Sequence, residues 1–135
     1  MRTRWYSQNA ALAITYLVAA ALSLLTSCDD DEGPSTRDML IGSWELTEVR
    51  IDGIPVDLDG FYLEMEFQSD GDYREMYIEG GTPEIYLGEW ELTGNELELD
   101  YDDGDRWKLT IISITATTLK VEHEDDFEAT LKKNN

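Results

Sequence analysis

Cysteine and basic residues are scarce in this sequence. Its 135 residues contain one cysteine and ten lysines and arginines, against thirty aspartates and glutamates. One cysteine cannot form a disulfide within the chain. The formal net charge of −20 repels nucleic-acid phosphates and anionic lipid headgroups, so we expect no nucleic-acid partner. A chain of this length holds one domain rather than two.

A run of apolar residues long enough to cross a membrane is also lacking. Residues 10–25 form an uncharged apolar run of 16 residues, whereas a helix needs roughly 20 to cross the hydrocarbon layer. A short basic stretch with Arg2 and Arg4 precedes this run. A basic stretch followed by a short apolar run is typical of a secretory signal peptide.

The end of this segment contains the single cysteine. Leu25, Thr26, Ser27 and Cys28 resemble the bacterial lipobox, in which an aliphatic residue and two small residues precede cysteine. The resemblance implies that diacylglycerol is attached to Cys28, that the chain is cleaved before it, and that the new amino terminus is acylated. Three acyl chains would hold the protein at a membrane, because each buried methylene contributes roughly 0.8 kcal/mol. We therefore predict a signal peptide over residues 1–27 and a lipoprotein.

An acidic run follows the predicted cleavage site. Asp29, Asp30, Asp31 and Glu32 repel one another, so residues 28–38 are predicted to form an extended acidic tether. The run also resembles the acidic export signal that directs some Gram-negative lipoproteins to the outer leaflet of the outer membrane. We expect a protein anchored in the outer membrane through Cys28, on the cell surface rather than the periplasmic face.

The predicted domain spans residues 39–133, where apolar and polar side chains alternate in short runs between Gly, Asp and Asn turns. This pattern is typical of strands joined by hairpins, and it predicts eight of them. The first strand, residues 43–51, changes parity, which indicates a β-bulge near Thr47. Because the loops are short, the strands are expected to be antiparallel neighbours that close into an all-β up-and-down barrel. A β-sandwich is the alternative.

Two further local patterns bear on the barrel. The order Ser35-Thr36-Arg37-Asp38 is that of a capping box and predicts one helical turn ending at Ile41, which would plug one end of the barrel. Residues 72–79 predict a strand, but the alternation does not decide which of its two faces points inward.

Gly42-Ser43-Trp44 opens the first strand after this helical turn and looks like the Gly-x-Trp signature of lipocalins. Residues 88–97 and 115–119 add to the similarity. The chain from residue 39 therefore resembles the compact lipocalin-like domains of bacterial lipoproteins. The resemblance implies an eight-stranded barrel with Trp44 packed across its closed end. It also implies that a small apolar molecule is held inside.

The inward positions of such a barrel carry many large side chains. An eight-stranded barrel has room either for those side chains or for one small ligand. Two functions follow: a module that binds a small hydrophobic or amphipathic ligand, or a filled barrel that contacts an envelope protein or glycan. The candidates for ligand contact are Trp44, Phe61, Met65, Trp90, Leu99, Tyr101 and Trp107.

The sequence contains only weak motifs for catalysis or metal binding. No Ser, Cys or second His is placed to form a catalytic set with His123. The acidic residues between 100 and 105 lack the glycine and glutamate positions of a calcium-binding loop. We expect no enzymatic activity, no metal and no cofactor.

Overall fold

The computed structural model describes residues 33–124 and 126–135. The predicted signal peptide, Cys28 and the acidic run at residues 29–32 lie outside the described residues. In the part described, no helix is long and apolar enough to span a membrane. The elements in chain order are α1 (Thr36–Leu40), β1 (Gly42–Ile51), β2 (Ile54–Pro55), β3 (Phe61–Phe67), β4 (Asp72–Glu79), β5 (Thr82–Thr93), β6 (Glu96–Tyr101), β7 (Arg106–Ile114), β8 (Thr118–His123) and β9 (Phe127–Lys133).

The strand β1 closes the sheet, because it pairs with both β3 and β9. From β3 to β9 each strand pairs with its neighbour in the chain, and every pairing is antiparallel. Eight strands thus form a closed barrel, which confirms the predicted class and excludes the sandwich. The strand β2 was not predicted. Its two residues pair with the end of β1 and are too few to show an alternating pattern.

The bend in β1 lies where the change of parity predicts it. The register between β1 and β9 shifts at Thr47, whose hydroxyl donates to the carbonyl oxygen of Thr130 at 3.1 Å. The extra residue turns the strand so that Trp44 and Leu46 before the bulge and Val49 after it are all buried. One strand can therefore contribute to the core on both sides of the bend.

The helix α1 covers one end of the barrel. Its amino terminus has the predicted capping box, in which the Ser35 hydroxyl accepts from the Asp38 amide at 3.1 Å and the Asp38 carboxylate accepts from the Ser35 amide at 3.3 Å. The last helical residue, Leu40, is fully buried. Its carbonyl oxygen accepts a hydrogen bond from the indole nitrogen of Trp44 at 2.8 Å, which ties the helix to the start of β1.

Candidate functional site

A cavity of about 620 Å³ occupies the part of the barrel away from α1 and is open to solvent. Residues of the β4–β5, β6–β7 and β8–β9 hairpins surround its mouth. The barrel interior is therefore not completely filled by its own side chains. Of the two alternatives that the sequence leaves open, the structure has the one with room for a small molecule.

Five of the seven predicted contact residues line this cavity, namely Phe61, Met65, Leu99, Tyr101 and Trp107. Met65 and Leu99 are buried, whereas Trp107 is 47% exposed at the mouth. The part of the wall farther from the mouth, called the lower wall here and below, is completed by apolar side chains from β1, β3, β7, β8 and β9. These are Leu46, Leu63, Leu109, Val121, Ala129 and Leu131. The walls of the cavity below its mouth are thus largely apolar.

The structure corrects the prediction for the other two residues, Trp44 and Trp90, which do not line the cavity. Both are buried at the end covered by α1. The indole nitrogen of Trp90 donates to the carbonyl oxygen of Gln68 at 2.9 Å, and the Arg37 guanidinium lies 4.3 Å from the centre of its ring. The alternating pattern identified the inward face correctly, but it does not give the height of a side chain along the barrel axis.

The polar part of the wall, which begins on β4, was not predicted from the sequence. This strand turns Tyr73, Glu75 and Tyr77 inward: Tyr73 is buried, and the other two line the cavity. Alternation did not decide the face, because Met76 and Ile78 on the opposite face are also apolar. Arg74 could have indicated the outer face, since a buried arginine requires charged partners.

Gly88 allows two tyrosines to meet across β5. Tyr73 on β4 and Tyr101 on β6 both pair with Gly88. A Cβ at this position would lie 2.2 Å from the carbonyl oxygen of Asp100, so the glycine is required. With no side chain between them, the two rings pack edge to face with centroids 5.7 Å apart. Their hydroxyls donate to the same atom, Oε2 of Glu75, at 2.6 and 2.7 Å.

This cluster of Tyr73, Glu75 and Tyr101 holds a carboxylate in a fixed orientation at the cavity wall. Burial, followed by the negative charge of Glu75, raises the pKa of Tyr73 well above its usual value. The same two causes raise the pKa of Tyr101. Both hydroxyls therefore stay protonated in neutral solution and remain hydrogen-bond donors to Glu75.

Four more carboxylates surround the mouth. Glu79 and Glu84 belong to the two strands of the β4–β5 hairpin, and Asp103 and Asp105 to the β6–β7 hairpin. The Tyr86 hydroxyl donates to Glu84 at 2.6 Å. Among the described residues that line the cavity, none is a lysine, arginine or histidine. The mouth is therefore acidic and aromatic, whereas the deeper wall is apolar.

Of the other candidate groups, His123 does not line this cavity, whereas Asp103 and Asp105 of the acidic hairpin do. The His123 ring packs against Trp107 with centroids 5.0 Å apart. The acidic hairpin forms an ordinary turn, in which the Asp103 carboxylate accepts from the Asp105 amide at 3.0 Å. In residues 33–124 and 126–135, no group of three or more His, Cys, Asp or Glu side chains could hold a metal ion.

A closed eight-stranded antiparallel barrel, covered by a helix at one end and hollow at the other, defines a lipocalin-like architecture. A family model described as a lipocalin-like domain matches residues 40–121. The chain therefore belongs to the family of lipocalin-like domains, which confirms the resemblance inferred from its motifs.

Two solved structures share the fold. A lipocalin-like protein from Bacteroides uniformis is 16% identical, with a TM-score of 0.61, and the match covers 71% of this chain and 99% of that one. An uncharacterized protein from Bacteroides eggerthii is 15% identical, with a TM-score of 0.59, and the match covers 70% and 99%. No match is found among curated proteins.

Proposed function

We propose that this lipocalin-like domain binds a small molecule with an apolar body inside its barrel and catalyses no reaction. The observation that carries the proposal is the cavity of about 620 Å³ with its apolar lower wall. Pockets for small molecules measure roughly 300–1,000 Å³. A ligand that enters would remove apolar surface from water, which stabilises the complex by roughly 25 cal/mol per Å².

Binding of the neutral dye N-phenyl-1-naphthylamine tests this proposal, because its fluorescence rises when it leaves water. Ala129 lines the cavity, so Ala129→Phe would place a ring in the space that the dye needs. We expect this variant to bind the dye at least about tenfold more weakly than the unmodified domain. Titration by fluorescence gives the affinity.

Ala116→Phe is the matched control, because Ala116 is exposed in the loop between β7 and β8. We expect it to leave dye binding unchanged. Circular dichroism checks that both variants keep the strand content of the unmodified domain. The proposal fails if the unmodified domain does not bind the dye, or if Ala129→Phe binds it as tightly as the control does.

We also propose that acyl chains on Cys28 anchor the protein at the cell surface. The lipobox at residues 25–28 and the acidic run at residues 29–32 support this assignment. Cys28→Ala is expected to accumulate as an uncleaved precursor that incorporates no labelled palmitate. Labelling equal to that of the unmodified protein would contradict the anchor. Protease added to intact cells is expected to digest the domain, and resistance until the outer membrane is permeabilised would place it on the periplasmic face.

One observation favours a second function, contact with another envelope protein. Ile85 and Leu87 share the outer face of β5 and are 54% and 52% exposed. Adjacent exposed apolar side chains often mark protein contact sites. Replacing both with threonine is expected to remove a cross-linked adduct on cells while dye binding stays unchanged. An adduct that persists would contradict this second function.

A further inference from the structure

We infer that the barrel selects cationic amphiphiles, with the apolar part of the ligand in the cavity and an ammonium-like group near its acidic mouth. The inference rests on the proposed function and adds the charge of the ligand to it.

The charge of the cavity wall is the first argument. Five carboxylates line the cavity, and no basic side chain does so among the described residues. The carboxylates are Glu75, Glu79, Glu84, Asp103 and Asp105. Charges of one sign in a recess with apolar walls focus the electric field and attract counter-ions. An anionic headgroup would instead be placed next to like charges, which is unfavourable at short range.

Carboxylates on the outer face of the barrel have basic ion-pair partners, which the carboxylates of the cavity lack among the described residues. There Arg74 lies 3.8 Å from Glu66, and Glu98 is contacted by both Arg106 and Lys108 at 3.2 and 3.4 Å. In the part of the chain that the structure describes, no ion pair includes a carboxylate of the cavity. The negative charge of the outer face is thus partly balanced by the protein itself, and the charge of the cavity is available to a ligand.

Glu75 is the carboxylate best placed to receive a cation. It lines the cavity and is half-buried, so its charge is less screened by solvent than those at the rim. The hydroxyls of Tyr73 and Tyr101 both bind Oε2, which fixes the orientation of the group before a ligand arrives. A binding group that is already oriented loses little conformational entropy when the ligand binds.

Aromatic rings add a second attraction for a cation. Tyr77, Tyr86 and Trp107 line the cavity near the carboxylates, and the rings of Tyr86 and Tyr101 pack edge to face with centroids 6.3 Å apart. The face of an aromatic ring attracts a cation within about 6 Å, and sites for quaternary ammonium groups are built from such rings. Carboxylates and aromatic rings around an apolar cavity together match a cation with an apolar chain.

Three ligands with the same apolar chain test the sign of the charge: decyltrimethylammonium, decanol and decyl sulfate. Their affinities are measured by displacement of N-phenyl-1-naphthylamine, below the concentrations at which the two ionic surfactants form micelles and below the solubility limit of decanol. We expect the cation to bind at least about tenfold more tightly than decanol and decyl sulfate to bind weakest. Added salt should reduce the advantage of the cation, because it screens charge.

Variants test whether Glu75, rather than the overall negative charge of the protein, attracts the cation. Glu75→Gln removes the charge but keeps an oxygen that accepts from the tyrosines. We expect it to lower the affinity for decyltrimethylammonium about tenfold, because the cation loses its coulombic attraction to a partly buried carboxylate, and to leave decanol unaffected. Glu89→Gln makes the same change on the exposed outer side of β5 and should alter neither affinity. Should Glu75→Gln unfold the domain, Asp103→Asn with Asp105→Asn makes the corresponding test at the exposed rim.

The outcomes distinguish this inference from the proposed function. If dye and decanol bind but the cation has no advantage, or if Glu75→Gln weakens decanol as much as the cation, the inference is overturned and the proposed function stands. If the unmodified domain binds none of the probes, the proposed function fails, and the inference fails with it.

Discussion

The two ends of the barrel satisfy their polar groups in different ways. At the closed end, the indole nitrogens of Trp44 and Trp90 donate to backbone carbonyl oxygens, and the Lys133 ammonium donates to the Met39 carbonyl oxygen at 2.9 Å. At the open end, tyrosine hydroxyls donate to carboxylates such as Glu75. The closed end therefore completes its hydrogen bonds with its own backbone, whereas the open end directs anionic side chains toward the cavity.

Because of this difference, we expect residues at the closed end of the barrel to determine its stability and residues at the open end to determine ligand binding. The large side chains that are fully buried outside the cavity lining are Leu40, Trp44, Phe67, Tyr73, Leu97 and Leu119. Leu40 belongs to α1, Trp44 donates a hydrogen bond to it, and Phe67 pairs with Gly42 at the start of β1. Side chains that border a cavity lack packing partners on one side and lose those dispersion contacts. We therefore expect substitutions at the closed end to lower stability most, and substitutions at the open end to change binding most.

The largest effect is expected from truncating a tryptophan at each end. Trp44→Ala removes a fully buried ring and should lower the free energy of unfolding by about 3–5 kcal/mol. Trp107→Ala removes a ring that is 47% exposed at the mouth and should cost about 1 kcal/mol. Urea unfolding measures both values. Equal losses for the two variants would show that the open end is as tightly packed as the closed end.

Alkaline pH is expected to destabilise the domain through the tyrosines on the inner face of the barrel that donate to carboxylates. Tyr73 and Tyr101 have raised pKa values in the folded state, and the hydrogen bond with Glu79 raises the pKa of Tyr77 to about 12. In the unfolded chain a tyrosine ionises near pH 10. The stabilisation is therefore complete below about pH 10 and is lost as pH rises toward the folded-state values, because the folded state then holds more protons.

Replacing one of these tyrosines tests the assignment. Each buried tyrosine that keeps its proton makes the free energy of unfolding fall by about 1.4 kcal/mol per pH unit above pH 10. Tyr73→Phe removes one such group, so its curve of stability against pH should be less steep by about that amount. Urea unfolding between pH 9 and about pH 11.5 provides the curves. Parallel curves for the variant and the unmodified domain would contradict the assignment.

The sequence predicted features that depend on neighbouring residues. The barrel strands follow from a period of two and from turn residues, the bulge from a change of parity at Thr47, and the helix from the capping box that starts at Ser35. Each of these signals lies within a few residues of the feature it predicts. The two-residue strand β2 gave no such signal.

The site was harder to predict, because it depends on which residues face each other across strands. Trp44 and Met65 pair directly between β1 and β3, yet only Met65 lines the cavity. The level at which the packed core ends and the cavity begins depends on the stagger of all eight strands, which no local pattern records. Glu75 was missed for a related reason, since an acidic residue on an inward face runs against the pattern that identifies inward faces.

The smallest effect is expected at the cap of the closed end. Ser35→Ala removes the hydroxyl that accepts from the Asp38 amide, and the loss of such a cap costs about 1 kcal/mol. Ser69→Ala, in the exposed turn between β3 and β4, is the control and should leave the free energy of unfolding unchanged. Because α1 covers the end away from the cavity, Ser35→Ala should not alter the affinity for N-phenyl-1-naphthylamine. A loss of dye affinity that matches the loss of stability would mean that the cap also shapes the cavity, and the division between the two ends would no longer hold.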